Sequence, residues 1–170
     1  GATLLLRQNV SKFFFGWISY SLLRSERRDC PTCSYRLFDF DQTHVLIAAV
    51  HAYLPYRIEV GLRFRYITGV PVTLAKGGIY DSDLDQYQPV LPTVAERDAQ
   101  NERLADFHQL DLRIERAFVF KRWSFRIYLD VSNVYNRRAA EQVIYSYDYS
   151  KRAVLTGLPI LPSLGVRVEL

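Results

Sequence analysis

The chain has 170 residues, 22 Lys and Arg against 18 Asp and Glu, and an aromatic share of 14% carried by 12 Tyr, 10 Phe and 2 Trp, with no Met. No apolar run approaches the roughly 18 residues that a spanning helix needs, so a helical membrane protein is excluded. The surplus charge of +4 is spread singly through strand-like segments rather than gathered into a stripe, which argues against a nucleic-acid partner.

Period-2 alternation recurs from end to end while no segment sustains a 3.6-residue stripe, and the predicted fold class is all-β. The first strand covers 2–8. The second, 13–24, sends Ile18, Tyr20 and Leu22 to one face and Trp17, Ser19 and Ser21 to the other. A loop over about 25–42 leads to a third strand, 43–54. The fourth, 57–69, sets Ile58, Val60, Leu62, Phe64 and Tyr66 against Arg57, Glu59, Gly61, Arg63 and Arg65. Beyond a loop of about 70–106, the fifth strand, 107–120, opposes Leu110, Leu112, Ile114, Phe118 and Phe120 to Gln109, Asp111, Arg113 and Glu115; Arg116 interrupts the apolar face near one end. The sixth, 123–135, alternates Trp123, Phe125, Ile127, Leu129 and Val131 with Ser124, Arg126, Tyr128, Asp130 and Ser132. Region 136–160 is expected either to extend its neighbours or to add an eighth strand. The seventh, 161–170, alternates Leu164, Val166, Val168 and Leu170 with Gly165, Arg167 and Glu169.

Short links at about 9–12, 55–56 and 121–122 alternate with long ones. That is the layout of an antiparallel transmembrane β-barrel meander, with periplasmic turns at one end and extracellular loops at the other. Aromatic residues near strand ends (Phe13, Phe14, Tyr53, Tyr66, Phe107, Phe118, Phe120, Trp123, Tyr135) read as interfacial girdles on the apolar faces. The apolar faces are therefore expected to meet outer-membrane lipid. The polar faces carry Arg63, Arg65, Asp111, Arg113, Glu115, Arg126 and Asp130, expected to line a lumen and either to pair with one another or to meet a plug or substrate. Arg116 is expected to snorkel toward headgroups.

Six ordered segments, "FFGWISYSLLRSERRD", "FDFDQTHVL", "GLRFRYITGVPVT", "FHQLDLRIERAFVFKRW", "YLDVSNVYNRR" and "GLPILPSLGVRVEL", resemble the last strands of TonB-dependent outer-membrane receptors. Ser163, Gly165, Val168 and Leu170 resemble the terminal assembly signal of bacterial outer-membrane proteins, with Leu where an aromatic usually ends it. The resemblance implies a 22-stranded barrel closed by a plug domain, and transport of metal chelates or other scarce nutrients. This chain accounts for about a third of such a barrel and carries no plug. Its expected partners are lipid, the barrel-assembly machinery, and further strands and a plug from the same or another chain. A small or split barrel with a scaffolding role is the alternative, and a membrane-bound enzyme a more distant one. Seven strands cannot close with every neighbour antiparallel, and open edges are costly in lipid, so β-strands outside this sequence, or one from 136–160, are expected to complete the wall.

Within the loops, Tyr80, Tyr87, Tyr145, Tyr147 and Tyr149 are the candidate ligand contacts, the simpler reading being paired ladders. Cys30 and Cys33, with two residues between them on a long loop, are expected to form a disulfide in an oxidising compartment. Asp81, Asp83 and Asp85 imitate the start of a calcium loop, but Gln86 and Pro92 replace its glycine and bidentate glutamate, so no metal is assigned. No hydrolase, metalloprotease, phosphate-loop or dinucleotide motif is present, and neither catalysis nor a cofactor is expected.

Overall fold

The structure, a computed structural model, describes residues 1–28, 30–32, 35–93, 96 and 102–169. It is all-β. Among the described residues thirteen strands follow in chain order: β1 (Ala2–Gln8), β2 (Phe14–Leu22), β3 (Glu26–Arg27), β4 (Arg36–Leu37), β5 (His44–Leu54), β6 (Ile58–Ile67), β7 (Gly77–Asp81), β8 (Gln86–Val90), β9 (Phe107–Val119), β10 (Ser124–Ser132), β11 (Ala140–Tyr145), β12 (Arg152–Thr156) and β13 (Leu161–Glu169). Seven of them form one antiparallel sheet in the order β1-β2-β5-β6-β9-β10-β13, and each is the one read from alternation. The sheet does not close: among the described residues β1 pairs with β2 alone and β13 with β10 alone.

Register converts seven separate alternations into two continuous faces, because residues directly opposite across an antiparallel pair point the same way. One row runs Leu6, Ile18, Ala48, Phe64, Leu110. Another runs Val50, Leu62, Leu112, Val131, and a third Val60, Ile114, Leu129, Leu164. This face is uncovered: Leu6 is 59% exposed and Leu164 70%. Among the described residues Ala139 is the only buried apolar one, so no conventional core lies beneath the sheet.

The opposite face differs from expectation in three aromatics: Phe13, whose carbonyl accepts the Tyr53 amide at 2.7 Å and which is out of phase with Phe14 on the apolar row, and two others. Tyr53 lies opposite Glu59, and Phe107 opposite Ile67 in the register that also carries Arg65, so both belong to the polar face; Arg65 stacks over the Phe107 ring at 5.5 Å. Alternation alone misplaces neither: counted outward from Phe64 and Leu110, both fall on the polar parity.

The three short turns, 9–13, 55–57 and 120–123, share one end of the sheet. Each long connection contains a two-stranded ribbon: β3–β4, β7–β8 and β11–β12. Region 136–160 therefore corrects the sequence reading, since it neither extends β10 and β13 nor adds an eighth strand. The reason is local. Asn133 and Asn136 adopt positive φ, 56° and 53°, conformations that asparagine tolerates, and turn the chain off the sheet. Asn133 is buried and its side chain bonds the backbone of Arg137 and Leu158, while Asn136 Oδ1 accepts the Ile160 amide at 3.0 Å.

Gly165 has a packing role as well. It lies opposite Tyr128, whose ring covers it so closely that a Cβ there would overlap the ring. The same ring carries the Arg113 guanidinium at 4.2 Å. Gly165→Val should therefore displace Tyr128 from its stack and destabilise the sheet by about 1–3 kcal/mol, as overpacking does; Gly165→Val with Tyr128→Ala should recover most of the loss in a urea titration.

Candidate functional site

Two regions gather the residues singled out in the sequence. On the polar face, strands β6, β9 and β10 bring all seven candidate charges together. Asp111 receives Arg63 at 2.7 Å and lies 3.6 Å from Arg65. Arg113 bridges Glu115 and Asp130, at 2.8 Å each, and Arg126 reaches Glu115 at 3.2 Å. Nearer the short turns, His51 bonds Glu59 at 2.8 Å and stacks on Phe15 at 5.0 Å. His51 and Glu59 stand eight residues apart in sequence, an even spacing across the 55–57 turn that puts both on one face. A cavity of about 480 Å³ lies against this face, lined among others by His51, Gly61, Arg63, Asp111, Arg113 and Asp130. Mutual neutralisation leaves its floor polar with little net charge.

At the other end lie the loops. The β7–β8 ribbon carries Tyr80 and Tyr87, and the β11–β12 region carries Tyr145, Tyr147 and Tyr149. Edge-to-face contacts at 5.4 Å join Tyr80 to Tyr87 and Tyr87 to Tyr147, and Tyr145 meets Tyr149 at 5.5 Å. Thus Tyr80 and Tyr87 are a cross-strand ladder pair, whereas Tyr87–Tyr147 joins two different ribbons. The Tyr145 hydroxyl accepts the Ala75 amide at 2.9 Å. Gly78 permits the close approach, because a Cβ there would sit 2.5 Å from the Asp148 carbonyl oxygen. Beside the β11–β12 ribbon is a cavity of about 390 Å³ whose lining includes Lys76, Glu102, Tyr145, Tyr149, Lys151 and Arg152. Lys76 pairs with Glu96 at 2.7 Å. That bond, with those from the Thr93 amide and hydroxyl, holds the Glu96 carboxyl at about 2. Hydrogen bonds from Ser146 and Ser150 likewise hold Asp148 at about 2. Rings beside cations suit a ligand with a flat, electron-rich or anionic group.

Tyr87→Ala should uncouple the two ribbons. Hydrogen exchange should quicken roughly five- to tenfold at amides of 77–90 and 145–151, with β9 and β10 unchanged, because edge-to-face pairs are worth that order of stabilisation. Uniform protection would show that the Tyr145 bond to Ala75 alone docks them.

A part-buried clamp underlies the loops. Asp41, whose side chain is fully buried, accepts bonds from Arg103 at 2.6 Å, the Ser25 amide at 2.6 Å and the Thr43 hydroxyl at 2.9 Å. Arg103 also donates to the carbonyls of Asp41 and Gly69. Asp106 accepts the Tyr66 hydroxyl at 2.6 Å and the Gly69 amide at 3.0 Å, and the first of these bonds chiefly holds its carboxyl below the ordinary range.

The remaining candidates are distributed. Ser163, Gly165 and Val168 lie on β13 opposite Asp130, Tyr128 and Phe125, and Leu170 lies outside the described residues. Cys30 is disulfide-bonded, and its expected partner Cys33 lies outside the described residues. The Asp81 side chain accepts the amides of Asp83 and Leu84, capping the β7–β8 turn, and Asp85 accepts the Tyr80 hydroxyl, so two of the three loop carboxylates serve the turn itself.

Compared with known families, curated proteins and solved structures, the chain matches none.

Proposed function

We propose that the chain is the C-terminal part of the barrel wall of a TonB-dependent receptor in the bacterial outer membrane, serving uptake of scarce nutrients such as metal chelates. The observation that carries this reading is the apolar face running across all seven strands, left uncovered while Ala139 is the only buried apolar side chain among the described residues. Water tolerates exposed patches of only a few hundred Å² on ordinary monomers; hydrocarbon covers such a face without penalty. Dimensions agree. His108 and Phe118 lie ten residues apart on the apolar side of β9, about 33 Å along a strand, which a tilt of about 40° reduces to the roughly 25 Å height of an outer-membrane apolar band.

The ion-paired opposite face suits a lumen, and the tyrosine-lined loop layer suits capture of a ligand above it. Two open edges call for further strands, and the polar face for a plug, from the same or another chain. β13, with Ser163, Gly165 and Val168, is the strand for the barrel-assembly machinery to engage.

Crosslinking at the two edges in cells tests the reading. Photoreactive residues replacing Leu5 on β1 and Arg167 on β13 should each join this chain to strands outside residues 1–170, in a product that fractionates with the outer membrane. A soluble product, or a β1–β13 crosslink with no other strand, would refute it. Capture of a separate chain would make the wall a split barrel.

A further inference from the structure

The three short turns share a composition that the long connections do not. They carry Lys12, Arg57, Lys121 and Arg122, and no acid; among the described residues the aspartates and glutamates outside the seven main strands lie at the long-loop end. All four cations are exposed, and none of them takes part in an ion pair among the described residues. Their position is fixed by topology. The turns join β1 to β2, β5 to β6 and β9 to β10 in a sheet of that same order, so they stand two strands apart, about 10 Å, along one rim.

Immediately beside them the apolar face ends in large aromatics. Phe14, on the apolar row opposite Ala52, is 44% exposed, and Phe120 stacks on Trp123 at 4.3 Å. Arg116 occupies the apolar row itself, opposite Ile58 and Ile127, with its guanidinium 4.9 Å over the Phe118 ring. From the middle of the sheet outward, the surface therefore passes from aliphatic, to aromatic with one snorkelling cation, to unpaired cations.

The 55–57 turn adds an independent sign of use. Tyr56 and Arg57 both adopt left-handed backbone, φ 63° and 58°, where glycine or asparagine is at ease and other residues are strained. The turn keeps a fully presented aromatic and a cation at positions its backbone would rather give to Asn-Gly.

We infer that the short-turn rim binds the anionic headgroups of the leaflet it borders, selecting phospholipids with a net negative charge over zwitterionic ones. This rests on the membrane reading above. A bilayer is the occupant because the cations continue the apolar face: whatever covers Arg116 also covers Ile127 and Phe118, and a leaflet presents acyl chains, interface and phosphate in that order. Attraction of about fivefold per cation, equivalent to about 1 kcal/mol, is reduced by ionic screening; a net preference of about three- to tenfold follows for the rim.

Trp123 is a built-in reporter, since Trp17 is the only other tryptophan. The full chain with Trp17→Phe, reconstituted in vesicles, is titrated with brominated phosphatidylglycerol or brominated phosphatidylcholine at low and high salt. Trp123 should be quenched about three- to tenfold more effectively by the anionic lipid, the excess shrinking with salt. Arg57→Gly, which removes a cation while relieving the backbone, should lower the excess without loss of folding. Lys12→Gln with Lys121→Gln and Arg122→Gln should abolish most of it, and Lys121→Arg with Arg122→Lys should retain it. Equal quenching by the two lipids, or an excess unchanged in the glutamine variant, overturns the headgroup inference while leaving the membrane reading intact. Quenching by neither lipid overturns both.

Discussion

Arginine in place of Leu129 is expected to abolish efficient insertion, with a loss of about 2–4 kcal/mol for a cation near the middle of an apolar band. Leu129 sits between Ile114 and Leu164 on neighbouring strands and is 38% exposed, so neither cross-strand neighbour offers the guanidinium a partner. Neither rim is within easy reach, unlike the position of Arg116. Ser132→Arg is the matched control: it adds the same side chain to the same strand, but into the cavity beside Asp111 and Asp130, where carboxylates are at hand. Folding into vesicles measured by electrophoretic mobility should separate the two variants clearly. Equal yields would mean that the apolar face meets something other than hydrocarbon.

A comparable loss is expected at the loop end from Asp41→Ala. Removing one member of a buried ion pair costs about 3–5 kcal/mol because the survivor is left uncompensated; Arg103 retains some solvent, its side chain being 21% exposed, which places the change near about 3 kcal/mol. The Ser25 amide loses its acceptor as well. Asp41→Ala with Arg103→Met should cost less than the sum of the single changes, by the coupling of a shared network. Acid should mimic the single variant. Burial acts to raise the Asp41 pKa, but bonds from Arg103, Ser25 and Thr43 outweigh it and the carboxyl titrates below its ordinary value. Its stabilisation is thus complete above the usual aspartate pKa of about 3.9 and is lost as pH falls through the lower folded value. Protease sensitivity of 23–43 as a function of pH reads this directly; no change below pH 4 would assign the clamp to the hydrogen bonds of Arg103 with carbonyls alone.

The main sheet was legible because its physics is one-dimensional. Thirteen residues of β9 alternate almost without a fault, and a single phase decides which way each side chain points. The charged cluster follows from the same phase, since Arg63, Asp111 and Arg113 occupy successive polar positions on strands separated by one long loop. The Asp41–Arg103 clamp was not legible: its partners stand 62 residues apart, and nothing local marks an aspartate as fully buried. Region 136–160 misled for a related reason. Val143, Ile144, Val154 and Leu155 carry the composition of a sheet strand, yet the two strands that hold them pair with each other, because the two left-handed asparagines redirect the chain before pairing begins. The tyrosines were legible as loop residues but not as a cluster, since the contact between Tyr87 and Tyr147 depends on how two ribbons dock.

The ribbons also bear on how quickly the main strands can find one another. Bringing β6 to β9 requires closure across residues 68–106, and β10 to β13 across 133–160. Loop-closure entropy grows with the logarithm of the free length, about 0.6 kcal/mol per doubling. A hairpin forms in about 1–10 μs, and once 77–90 or 140–156 has folded on itself, much of its connection no longer counts as free chain. Each ribbon thereby shortens the search for the next strand before that strand has paired, so that excising β11–β12 and substituting an equally long flexible linker should leave the β10–β13 register intact while slowing its formation.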